Sequence, residues 1–142
     1  MMIALAILSS AQAAVFASIL DLDALSDTAD HVVIGEVSEV MSRRVLGGIV
    51  TEVTVDISET LIGTPVSELT LTLPGGQIQG ETLTVSGVPH LLAGHDLLLF
   101  LEEGQPVGFT QGIFFTDGVQ AYSATNSRPA PVPIEEVRRS LR

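Results

Sequence analysis

The stretch GIVTEVTVDISETLIGTPVSELTLTL, residues 48–73, decides the fold. Ile49, Thr51, Val53, Val55 and Ile57 fall on one side of an extended backbone, and Val50, Glu52, Thr54, Asp56 and Ser58 fall on the other, because successive strand side chains point to opposite faces. Gly63-Thr64-Pro65 turns the chain, and Leu69, Leu71 and Leu73 then alternate with Glu68, Thr70 and Thr72 until Pro74-Gly75-Gly76 ends the run. Two amphipathic strands in succession predict a sheet with one face on the core and one in water.

Upstream, residues 43–48 are expected to form a connection from a first strand over residues 31–40. In that strand the apolar positions move from Val32 and Ile34 to Val37 and Val40 after Gly35, and a phase change at a glycine predicts a bulge that bends the strand. Residues 19–29 predict a short helix capped by Asp21, with Leu22, Leu25 and Ala29 on one face. Residues 1–13 read as the end of a secretory signal: Met2 to Leu8 is apolar and Ala11-Gln12-Ala13 is an A-x-A cleavage site before Ala14. The basic segment that opens such a signal is missing, so the true start is expected upstream of Met1. The protein is therefore expected to be secreted or periplasmic. No later segment has the roughly 20 consecutive apolar residues of a spanning helix, so no membrane span is expected after cleavage.

Downstream, residues 75–87 are Gly-rich and predict one short strand over residues 82–85. Leu97-Leu98-Leu99-Phe100-Leu101 is an unbroken apolar run between Gly94 and Gly104, the pattern of a strand covered on both faces. Asp117-Gly118 predicts a hairpin between residues 109–116 and 119–122. Residues 126–133 form a Pro-rich connector, and a last helix is predicted from Ile134, with Glu135 and Glu136 in its first turn and Arg138, Arg139 and Arg142 at its end, as the macrodipole favours. Five to six short strands with short N- and C-terminal helices fit a mainly β chain folded as a small antiparallel barrel, with an immunoglobulin-like sandwich as the alternative. The expected organisation is a signal remnant over 1–13, the barrel over 14–127, and over 128–142 the connector with a helix packing on the barrel.

Seventeen carboxylates stand against six basic residues in 142, every one of the six an arginine, for a net charge of -11. No Lys or Arg lies between Val45 and Ser127. A surface of this sign repels phosphate backbones, which excludes nucleic acid as a partner class. There is no cysteine, which excludes disulfides, thiolate nucleophiles and thiolate metal sites.

The order of Ala29-Asp30-His31-Val32-Val33-Ile34-Gly35-Glu36-Val37, the long strand ending Thr60-Leu61-Ile62-Gly63, and His90-Leu91-Leu92-Ala93-Gly94 resembles the netrin-like, or tissue-inhibitor-of-metalloproteinases (TIMP), version of the OB barrel. The Leu73-Pro74-Gly75-Gly76 segment and the strand from Gly94 to Leu101 also resemble those of secreted bacterial proteins. The resemblance implies an OB-like barrel and a partner that is another exported protein, a metalloprotease among the classes. The inhibitors act through an N-terminal cysteine. This chain has none, so no inhibitory residue is carried over.

Imidazole ligates metals and titrates near neutrality, so His31, His90 and His95 are the first candidates for chemistry. His90 and His95, the candidates for a transition-metal site, are five residues apart, a spacing that puts them on one face of neither a helix nor a strand, so no metal site is expected. An acyl-transfer reading would use Ser86 or Ser123 with His90 or His95 and Asp96, but no nucleophile elbow is present. Glu102-Glu103 are adjacent in a strand and face apart. Asp21, Asp23, Asp27 and Asp30 form a local acidic group without a calcium-loop pattern. The sequence thus predicts a non-enzymatic protein-binding module with no cofactor, whose binding loop is Pro74, Gly75, Gly76, Gln77, Gln79 and Gly80, helped by residues 105–108. The alternative is an exported metal-dependent or serine hydrolase using His90, His95 and Asp96.

Overall fold

The computed structural model describes residues 21–125 and 130–141. The signal remnant 1–13, the Ala14 start and part of the Pro-rich connector lie outside the described residues. In chain order the elements are α1 (Leu22–Thr28), β1 (His31–Val45), β2 (Gly48–Ile62), β3 (Glu68–Pro74), β4 (Gly76–Ile78), β5 (Glu81–Leu83), β6 (Asp96–Glu102), β7 (Gln105–Pro106), β8 (Ile113–Thr116), β9 (Gln120–Ser123), β10 (Val132–Pro133) and α2 (Ile134–Ser140). The chain is mainly β, and every strand pairing is antiparallel. One sheet runs β10-β9-β8-β6-β1-β2-β3, with β7 on β6, while β4 pairs only with β5. The main strands therefore form one continuous sheet and not the two facing sheets of a sandwich.

The five to six expected strands become ten, for local reasons. The Gly-rich segment holds a complete hairpin where one strand was expected, and β7 and β10 are two-residue pairings too short to leave a periodic signal. The expected connection over 43–48 is also strand. Arg43 pairs with Val50, Arg44 with Ile49 and Val45 with Gly48, which leaves Leu46-Gly47 as the turn, with Gly47 at φ 89°. Ser42, a hydroxyl at an inward position, hides the continuation of the apolar alternation.

The bulge expected near Gly35 is present, with two more. The β1–β2 register skips Leu61 and Ser58 on β2 and Ser38 on β1. A bulge leaves ladder groups unpaired and bends the strand. Both bulged serines repair that deficit: Ser58 Oγ donates to the Ile34 carbonyl at 3.1 Å and Ser38 Oγ to the Thr54 carbonyl at 3.3 Å. A Cβ at Gly35 would collide with the Asp56 carbonyl oxygen and lie 2.9 Å from Val55 Cγ1. Glycine is thus required by backbone approach.

The sheet buries both faces. On one, Val33, Val37, Val53, Val55, Leu71 and Leu99 join an aliphatic core. On the other, Val32, Leu98, Phe100 and Phe114 meet Leu25 of α1 and Ile134 and Val137 of α2, with the two phenylalanines edge to face at 5.7 Å. Residues 97–101 of β6 supply both cores and are all buried, as the apolar run predicts. Asp21 caps α1 by accepting from the Ala24 amide at 2.8 Å. The Arg138 guanidinium clamps α2 to Glu59 of β2, with Nη2 donating to Oε1 at 3.0 Å and Nη1 to Oε2.

On the sheet face that carries the helices, Asp96 pairs with Glu36, Glu36 with Asp56, and Asp56 with Glu68. Directly opposed residues share a face, so four exposed carboxylates form one row across β6, β1, β2 and β3. Like charges directly opposed across strands repel and destabilise the pairing.

Two outcomes are expected. Asp56→Asn, which interrupts the row at its centre, raises the melting temperature at low ionic strength, and the gain shrinks in about 0.5 M NaCl, where charges are screened within a few ångströms; a salt-independent change would remove repulsion as the cause. Separately, the Arg138 hydrogen bonds hold the Glu59 carboxyl below its ordinary value. A depressed carboxylate stabilises fully above its unfolded pKa and loses that contribution as pH falls through the folded one. Glu59→Gln is therefore less stable than the native chain at pH 7, and thermal melts of the two converge in the acid range below about pH 4.

Candidate functional site

Where β3 ends, the chain folds back over the aliphatic face. Gly75 at φ 92° donates its amide to the Ile49 carbonyl at 2.8 Å, and β4 and β5 then form a tight hairpin. Its two turn residues, Gln79 at φ 48° and Gly80 at φ 85°, both lie in the left-handed region, as a type I′ turn requires.

Two attachments hold this hairpin on the sheet. The first is a directional chain of hydroxyls. The Gln77 amide donates to Ser42 Oγ at 3.3 Å, and Thr51 Oγ1 donates to the Gly75 carbonyl at 2.8 Å. The Thr51 proton is thereby committed, so the 3.0 Å contact between the two hydroxyls is Ser42 donating to Thr51. Gly76, at φ 145°, fits between them only because it has no Cβ, which would strike both oxygens. The second is the Arg44–Glu81 ion pair, with Nη2 at 2.7 Å from Oε1.

Beneath the hairpin lies a cleft of about 300 Å³. Val53, Leu73 and Leu91 of the aliphatic core form its floor, and the segment 84–91 closes its side. That segment is anchored by Thr110, the one buried polar residue among those described, whose hydroxyl donates to the Gly87 carbonyl at 2.6 Å. Gln77, Thr82, Thr84 and His90 are exposed around the mouth.

Of the predicted binding loop, Pro74, Gly75, Gly76 and Gln77 line this cleft, while Gln79 and Gly80 form the hairpin tip outside it. In the auxiliary loop 105–108, Pro106 and Val107 are buried. Gln105 and Gly108 are exposed, and next to them Phe109 is held at φ 68° and is 56% accessible. Ser42 and Thr51, which sequence reading passed over, had a signal: each is a hydroxyl at an inward position of an otherwise aliphatic strand face.

The three histidines are dispersed. His90 is at the cleft mouth. His95 accepts the Leu92 amide on Nδ1 at 3.0 Å and packs edge-on against Phe115 at 4.9 Å, while Asp96 lies in the carboxylate row on the opposite face. Of the residues named for the hydrolase alternative, His90 lines the cleft, and His95, Asp96, Ser86 and Ser123 are not among its lining residues. His31 sits between the Asp30 carboxylate at 3.2 Å and the Thr64 carbonyl at 3.1 Å. The amide of Glu103 and then the His31 ring lower the Asp30 carboxyl, so Asp30 is committed to tying the start of β1 to the β6–β7 turn. With Asp21 serving as a helix cap, the acidic group of α1 has structural roles for two of its four members. No group of three or more His, Asp or Glu among the described residues is placed to hold a metal ion. No helix among them is long and apolar enough to cross a membrane.

Ser42→Ala removes the hydroxyl that both receives Gln77 and donates to Thr51. It is expected to cost about 2 kcal/mol, at the usual net worth of roughly 1 kcal/mol for each of the two hydrogen bonds lost, and to speed hydrogen exchange at the amides of β4 and β5 while leaving those of β6 slow. Unchanged hairpin exchange would show that the relay does not hold it.

Compared with known proteins, the chain matches no protein-family model and no curated protein.

Proposed function

We propose that this chain is an exported, non-enzymatic protein-binding module, an OB-like barrel of the netrin type that presents the β4–β5 hairpin to another exported protein. The observation that carries the reading is the docked hairpin itself. Its turn is in a fixed I′ geometry and its base is held by the Ser42–Thr51 relay and the Arg44–Glu81 pair, while Gln77, Gln79 and every residue of β5 remain exposed. A contact element ordered before association avoids the entropy of being ordered during it.

What supports the barrel is the approach of β3 to β7, whose Cα atoms come within 8 Å, although the hydrogen-bonded path runs from β10 to β3 without closing. What supports export is the signal-like sequence. The resemblance makes an exported metalloprotease the first partner to test, in a mode that uses the hairpin because the chain has no cysteine.

The experiment captures partners of the full chain from the host's exported proteins and measures their affinity for the native protein and for Gln77→Arg/Gln79→Lys. Both changes are on exposed side chains, so melting should be unaffected. At least a tenfold loss of affinity is expected in the double variant. A partner that binds both proteins equally removes the hairpin from the interface, and a chain that itself turns over substrate overturns the non-enzymatic reading.

A further inference from the structure

The cleft beneath the hairpin has a chemistry that contact through the hairpin's exposed face does not use. In a chain of net charge -11, no Asp, Glu or Arg lines it. Of the carboxylates on the adjoining strands, Glu52 and Glu81 are matched by Arg43 and Arg44 at 3.1 and 2.7 Å. With Glu39 beside Val40, three carboxylates stand against two arginines at this end of the sheet, a much closer balance than in the carboxylate row on the other face. The floor is aliphatic, and the mouth carries Gln77, Thr82, Thr84 and His90, whose side chains make no hydrogen bond to the described residues. The Ser42 and Thr51 hydroxyls, though part of the wall, are already consumed by the hairpin.

We infer that this cleft is a small-molecule site for an uncharged amphipathic ligand, a short aliphatic chain or single ring with one hydroxyl or carbonyl head. The apolar body lies on Val53, Leu73, Val88 and Leu91, and the head exchanges hydrogen bonds with the hydroxyl and amide groups at the mouth. Charge sets the class. An ionised ligand would lose hydration over the aliphatic floor, and the lining holds no Asp, Glu, Lys or Arg to replace it; an anion would also approach against the field of the whole protein. Size sets the length: about 300 Å³ is the lower end of ligand sites and roughly twice an engineered cavity that admits one benzene. That suits about six to eight carbons.

The test is a titration of the ¹⁵N-labelled full chain with 1-hexanol, hexanoate and hexylammonium, followed by amide chemical shifts. The expected result is saturable shifts confined to residues around the cleft for hexanol, with both ions at least tenfold weaker. Val88→Phe, which fills the cleft, should abolish them. Should that variant fail to fold, Thr84→Arg at the exposed mouth keeps the question open to measurement and should move the preference toward hexanoate. Shifts that do not saturate, that spread over the surface, or that are equal for the three probes overturn the site. So does concentration-dependent protection of the cleft without probe, which would assign it to a second copy of the chain.

Discussion

The pairing of β1 with β2 is the constraint on which the other elements depend. Both strands are fifteen residues long, and a flat ribbon of that length would leave one face without a second layer. The bulges at Ser38, Ser58 and Leu61 add twist along the ribbon, and Gly35 lets the two backbones approach at the bend. Because β6 pairs with the first part of β1 and β3 with the middle of β2, bending the ribbon brings both neighbours around the aliphatic core. The bulged serines make the bend tolerable: their hydroxyls replace hydrogen bonds that the ladder loses, so curvature is gained without orphaned carbonyls.

Hydroxyls perform the same service at the far end of the ribbon. There Ser42 and Thr51 occupy inward positions that an ordinary strand would give to valine or isoleucine. The exchange sacrifices apolar burial but supplies the acceptor and donor that the crossing backbone of Gly75 and Gln77 needs. A purely aliphatic surface could not have received that backbone without stranding its polar groups. The cleft follows from this arrangement, since a hairpin held off the floor by hydroxyl contacts on one side cannot also pack down onto Leu73 and Leu91.

Period-two alternation made β2 and β3 legible from sequence, an unbroken apolar run did the same for the doubly covered β6, and Asp117-Gly118 and the Ile134 stripe marked the last hairpin and helix. In each case the signal is local and the burial is one-sided or complete. What was not legible depends on register. Nothing in the sequence says that Asp96, Glu36, Asp56 and Glu68 stand in one row, because their alignment is a property of three pairings between strands far apart in the chain. The end of β1 was missed for a different reason: Ser42 and the two arginines carry no apolar alternation, although their pairing partners do. Of the candidate site, Pro74 to Gln77 was visible as a glycine-rich break, but the cleft was not, since its floor comes from strands that read as ordinary core.

The distribution of charge joins these observations. A strongly acidic chain with no basic residue between Val45 and Ser127 has few places where a carboxylate can be neutralised. Arg138 is spent on Glu59 and holds α2 to the sheet, while Arg43 and Arg44 are spent on Glu52 and Glu81 beside the cleft. The row from Asp96 to Glu68 has no arginine opposite it in the strand register. Repulsion along that row acts against the β6-β1-β2-β3 pairing and must be offset by the aliphatic core on the other side of the same strands. Both faces carry a buried core, but the face under the helices also carries the carboxylate row and its electrostatic strain, while the aliphatic face ends in the cleft. Long-range fields set by net charge repel anions from the whole surface, and the lining of that opening holds no Asp, Glu, Lys or Arg, which is why the proposed selectivity for uncharged molecules is placed there and not along the row.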